Sequence, residues 1–125
     1  MDINKQIEYW LNTAEDDLDS SEILISKGKI LHGLFFCHLC IEKVIKANVV
    51  RCTNQIPPKV HRLAYLLSLT DIELSEEDKD FCAVLMAYQL EGRYPENYPS
   101  VPNIEKVKMY LNKTKTLFQW LKTKL

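Results

Sequence analysis

Glycine is scarce in this chain. Gly28, Gly33 and Gly92 are the only three among 125 residues. They lie too far apart to build a phosphate-binding glycine loop. No serine sits in a nucleophile elbow, and no helix-turn-helix signature is present. No charge of one sign dominates either. The formal net charge is −1, which excludes the broad basic field of a general nucleic-acid coat but allows a local basic patch. No apolar run is free enough of charge to span a membrane, and no lipidation motif occurs. The N-terminus, with Asp2, Asn4 and Lys5, lacks a signal-peptide pattern. The four cysteines, Cys37, Cys40, Cys52 and Cys82, are therefore expected to be reduced thiols in a cytoplasm. Strand signals are missing too, since VLMAY (84–88) and ANVVR (47–51) fall inside helical periods.

What is present is helical periodicity. The pattern predicts one all-α domain over residues 1–125, an up-and-down bundle of about five helices. Residues 3–27 carry a stripe of Ile3, Ile7, Trp10, Ala14, Ser21 and Ile25, widened by Leu11, Leu18 and Leu24. Asp17 interrupts that stripe, and Gly28 is the natural stop. A second helix, from Ile30 to between Arg51 and Asn54, is the most apolar stretch. Gly33, Leu34, Cys37, Cys40, Ile41, Val44 and Ile45 form its core arc. Its other edge stacks His38, Glu42 and Lys46 at one-turn steps, with His32 and Lys43 alongside and Phe35 and Leu39 between.

Pro57-Pro58 breaks the chain, and a short helix through Leu63, Leu66 and Leu67 is expected to end near Thr70. Ser75 caps a fourth helix with Phe81, Val84, Leu85 and Tyr88 on its apolar face, expected to run to Gly92. Residues 93–102, RYPENYPSVP, are expected to form no regular element. Asn103 caps the last helix, where Ile104, Val107, Leu111, Thr114, Phe118, Leu121 and Leu125 alternate by three and four. That seam fits a partner helix in this chain or in a second copy.

Charge is segregated. Asp2 to Lys27 carries seven acids against two bases, and Asn103 to Leu125 six lysines against one acid. The plainer expectation is that the two end helices are neighbours with complementary faces. The alternative is a basic helix that attracts a polyanion.

Three groups of residues offer chemistry. Cys37 and Cys40 with His38 have metal-like spacing. A structural zinc site needs four ligands, however, and Cys52 and Cys82 are not at ligand spacing. No metal or cofactor is expected. His38, Glu42 and Lys46, with Lys43, form a ridge that can do acid–base work, bind phosphate or meet a second copy. The plain alternative is a set of one-turn contacts on the drier edge of a solvated arc. Arg93, ahead of a proline-stiffened turn, can grip a phosphate or carboxylate, and Tyr94 and Tyr98 can stack on a base. The alternative is that the tyrosines pack the loop down and Arg93 pairs with Glu91 or Glu96. His61 either caps the third helix or reaches the ridge.

Taken together these residues resemble a HEPN domain (higher eukaryotes and prokaryotes nucleotide-binding). The resemblance runs through Trp10, Ala14, Asp17-Leu18 and Gly28, then FFCHLCIEKVIKA with Glu42-Lys43 and Lys46-Ala47. It continues through Pro58, His61 and Leu63 to Arg93-Tyr94-Pro95. It implies a helical bundle that forms a homodimer and binds a nucleotide or RNA, or partners a minimal nucleotidyltransferase, as in toxin–antitoxin systems. Many members are metal-independent ribonucleases with an arginine followed, after four to six residues, by a histidine. Here the position after four residues is Tyr98, and no histidine follows Arg93. The resemblance therefore carries over Arg93 but no catalytic histidine. It points to a non-catalytic module with Arg93, Tyr94, Tyr98, His38, Glu42, Lys43, Lys46 and His61 as ligand-binding candidates. The alternatives are a divergent ribonuclease using Arg93 and Tyr98 with a remote histidine, and a structural dimerisation module.

Overall fold

The computed structural model describes residues 1–125 as five α-helices without strands. They are α1 (Ile3–Ser26), α2 (Ile30–Thr53), α3 (Leu63–Ser68), α4 (Glu76–Met86) and α5 (Ile104–Lys122). Asp2, Ser75 and Asn103 each accept a backbone N–H from three residues on, capping α1, α4 and α5. Gly28 stops α1 at φ +78° and Asn54 closes α2 in the left-handed region at φ +56°.

α2 is the axis, because every other helix packs against it. Its core arc of Leu34, Cys37, Cys40, Ile41, Val44 and Ile45 is fully buried, and Leu63, Leu66, Phe81, Leu85, Phe118 and Leu121 close around it. α1 and α2 form an antiparallel hairpin. Gly33 meets Ser21 and Ile25 near the turn, Lys43 meets Asp17, and Lys46 meets Trp10 farther along. At Gly33 a Cβ would lie 2.5 Å from Ile25 Cγ1 and 3.2 Å from Ser21 O, so glycine is what allows the approach. Asn48, buried in α2, donates to Val44 O and to Leu121 O of α5, fixing α5 on the core.

The acidic and basic end helices are neighbours. Glu22 pairs with Lys115 at 3.2 Å and Glu15 with Lys122 at 2.8 Å. The matched seven-residue steps run in opposite directions, so α1 and α5 are antiparallel here. The seam of α5 is satisfied inside the chain at Val107, Thr114, Phe118 and Leu121, while Ile104 is exposed.

Two expectations are corrected. α4 ends at Met86, not Gly92. A turn at Ala87 and Tyr88 follows, Tyr88, Gln89 and Leu90 stay buried outside the helix, and Gly92 serves a later bend at φ +79°. Residues 93–102 also contain a short 3₁₀ turn, Pro95–Asn97.

Candidate functional site

The polar edge of α2 is not the edge of a solvated arc. His38, Glu42 and Lys46 are all buried, because the 57–63 segment crosses over α2 and α1 flanks it. A carboxylate in that position needs partners, and Glu42 has two. Its Oε2 accepts from Lys46 Nζ at 3.0 Å and its Oε1 accepts from His61 Nδ1 at 3.0 Å. The Lys46 ammonium also lies 5.3 Å from the Trp10 ring centroid, a cation–π contact with α1.

His38 plays a different part. Its Nε2 lies 3.1 Å from the carbonyl of His61, which can only accept, so the proton sits on Nε2. Burial lowers its pKa below the usual 6.5, against the raising pull of Glu42. His38 is thus a neutral clamp that holds residue 61 in place. Its Nδ1 is 3.9 Å from Glu42, beyond hydrogen-bond distance. His32 is exposed and takes no part.

Lys43 is taken up by Asp17, whose Oδ2 lies 2.7 Å from its Nζ. Burial pushes the Asp17 carboxyl up from the usual 3.8, opposed by Lys43. The acid that interrupts the α1 stripe therefore exists to meet α2. Cys37 and Cys40 are core thiols, both with pKa raised by burial, and no group of three or more His, Cys, Asp or Glu is arranged to hold a metal ion.

His61 is the outlet of this network. Its side chain is 40% exposed, and while Nδ1 donates to Glu42, Nε2 lies 3.3 Å from Glu91 Oε2. It does not cap α3, which begins after Arg62 without a side-chain cap. Glu91 stands two residues before Arg93, so the ridge and the arginine segment meet through His61. The contact was hidden in sequence, although an acid two places ahead of the candidate arginine was its only signal.

Arg93 pairs with neither Glu91 nor Glu96. It is exposed, and its Nη1 donates only to Ala87 O, at 3.2 Å. No carboxylate lies within 4.0 Å of it, in contrast to Arg51, which grips Asp71 through both Nη atoms. Tyr94 is 71% exposed and does not pack the loop down, whereas Tyr98 is half-buried. The arrangement presents an imidazole held by a buried carboxylate and, in the segment that reaches it through Glu91, a guanidinium with free donors. None of the eight candidate residues lines any of the four surface cavities. The exposed ones among them, His61, Arg93 and Tyr94, offer open surface, a ledge and not a pocket.

The model of the HEPN domain family matches residues 7–124. The crystal structure of an archaeal HEPN homologue superposes with a TM-score of 0.61 at 20% identity, over 94% of this chain and 96% of that one. At that identity the likeness speaks to the fold. No curated protein matches the chain in sequence.

Proposed function

The chain belongs to the HEPN domain family, and from that premise we propose that it binds the phosphate of a nucleotide or nucleic acid on the ledge of His61 and Arg93, without cleaving it. The observation that carries this reading is the state of Arg93: exposed, anchored by one backbone carbonyl, and free of any carboxylate. A guanidinium so placed keeps donors for a planar anion. Exposed Tyr94, next in sequence, offers a ring face to a base. Lys43 and Lys46 are consumed by Asp17 and Glu42 and act as positioning residues, not phosphate ligands.

The same reading includes a homodimer. A ledge without walls gains them from a second copy, and Phe35, Phe36 and Leu39 of α2 are only half-buried in one chain. A minimal nucleotidyltransferase, acting in the cytoplasm, is the alternative second surface. A ribonuclease reading rests on one observation. The Glu42–His61 pair has the form of an oriented acid–base imidazole, so His61 is the remote histidine such an enzyme would need.

Melting curves with and without millimolar ATP, alongside incubation with RNA, separate these readings. Stabilisation by ATP that is lost in Arg93→Ala, with intact RNA, supports the binding module. RNA cleavage abolished by Arg93→Ala or His61→Ala replaces it with the ribonuclease. Neither response would leave only the structural dimer.

A further inference from the structure

α3 and α4 face each other across a cleft. On α3 the facing positions are Ala64, Leu67 and Ser68, and on α4 they are Lys79, Cys82, Ala83 and Met86, both at helical spacing. Most of these side chains are small, so the two helices leave space between them. Two adjoining cavities result, of about 390 and 300 Å³, and they share Ala64, Lys79 and Cys82. Each falls within the span of roughly 300–1,000 Å³ usual for small-molecule sites.

The lining is polarised. Leu67, Ile72 and Leu74 give the first cavity apolar walls, and Cys82 joins them as a buried thiol whose pKa burial raises to about 12. It stays protonated and behaves as an apolar surface. Lys79 stands where the cavities meet, and Arg62 lines the second. Lys79 has only an exposed contact with Glu76 at 3.3 Å, which a ligand can displace at little cost. Arg62 has no ion pair within 4.0 Å. Glu73 lines the first cavity alone and repels an anion from that end.

We propose that this cleft binds a small amphipathic carboxylate, its apolar tail against Leu67, Leu74 and Cys82 and its head at Lys79 and Arg62. The site shares no residue with the ledge and does not depend on the anion reading there.

The chain carries its own reporter. Its three methionines are Met1, Met86 and Met109. Met86 lines the cleft, whereas Met109 lies in the separate groove between α4 and α5. Methyl-labelled methionine spectra are recorded during titration with octanoate and with octan-1-ol. Octanoate is expected to shift Met86 saturably and leave Met1 and Met109 in place. Lys79→Gln should weaken octanoate at least tenfold and leave octanol unchanged, the size expected for losing a charge-assisted contact. Ala64→Phe, at an exposed position shared by both cavities, should abolish binding while Met1 and Met109 keep their shifts. Arg93→Ala should bind octanoate like the wild type. An unmoved Met86 at millimolar octanoate, three methyls moving together, or wild-type affinity in Lys79→Gln would each overturn the proposal.

Discussion

Truncating Glu42 to alanine tests whether the polar edge of α2 is a buried ionic network. The Glu42 side chain is 3% exposed and the Lys46 side chain 7%. Removing the carboxylate strands the Lys46 ammonium away from water and leaves His61 Nδ1 without its acceptor. The Trp10 face returns only about 0.5–2 kcal/mol. Breaking a buried pair from one side costs about 3–5 kcal/mol. For a chain of this length each kcal/mol moves Tm by about 4 °C, so Glu42→Ala should melt about 12–20 °C lower. The double variant Glu42→Ala/Lys46→Met removes both charges and should regain at least ~2 kcal/mol of the loss. Urea unfolding followed by circular dichroism gives both values, with the slope checking that the transition stays two-state. A loss under ~1 kcal/mol in the single variant, or no recovery in the double, would refute the buried network.

Three further outcomes follow from the same structure. Gly33→Ala should destabilise the α1–α2 hairpin, since overpacking of about 1–3 kcal/mol outweighs up to about 1 gained in helix propensity; an unchanged or higher melting temperature would contradict the close approach. His38 has a folded pKa below its usual 6.5, so the unfolded chain takes up the proton first as pH falls. Its contribution is complete above pH 6.5 and is lost below it. His38→Gln, which keeps a donor for His61 O, should flatten the fall in unfolding free energy as the pH drops below 6.5. Asp71, held down to about 2 by Arg51 against a usual 3.8, contributes stability above 3.8 that is lost as pH falls through 2. Asp71→Asn should flatten acid unfolding across that window, and an unaltered acid limb would show that the exposed pair contributes nothing.

Helix starts were legible because they are written locally. Ser75 and Asn103 cap through their own side chains, and Gly28 supplies the positive φ that a stop requires. The end of α4 was not. Tyr88 is buried and continues the period of Phe81, Val84 and Leu85, so the local pattern up to that point does not distinguish a helix from a packed turn. The one-turn spacing of His38, Glu42 and Lys46 puts them on one face of α2. Its burial depends on a crossing segment far away in sequence, and no helical wheel contains that. Asp17 was visible as an anomaly, yet its partner Lys43 became identifiable only once the two helices were known to be antiparallel. For Arg93 the sequence leaves two readings open, an anion grip or an ion pair with Glu91 or Glu96. Which of them holds depends on where Glu91 goes: it turns to His61 and leaves the guanidinium to a carbonyl.

The candidate residues differ in exposure. His38, Glu42, Lys43 and Lys46 are engaged in buried or partly buried contacts, whereas His61, Arg93 and Tyr94 reach solvent. A buried network that fixes one partly exposed imidazole keeps that surface group rigid.

The central claim is that Arg93 is free to bind an anion. Calorimetric titration of ATP and of a short RNA into the wild type and Arg93→Ala tests it directly. Loss of charge-assisted hydrogen bonds of about 1.5–3 kcal/mol corresponds to about a 10–100-fold rise in Kd. The account predicts that rise for at least one of the two ligands, with the melting temperature of the free variant unchanged. Equal affinity in both proteins, or no heat of binding from either ligand at millimolar concentration, would contradict it.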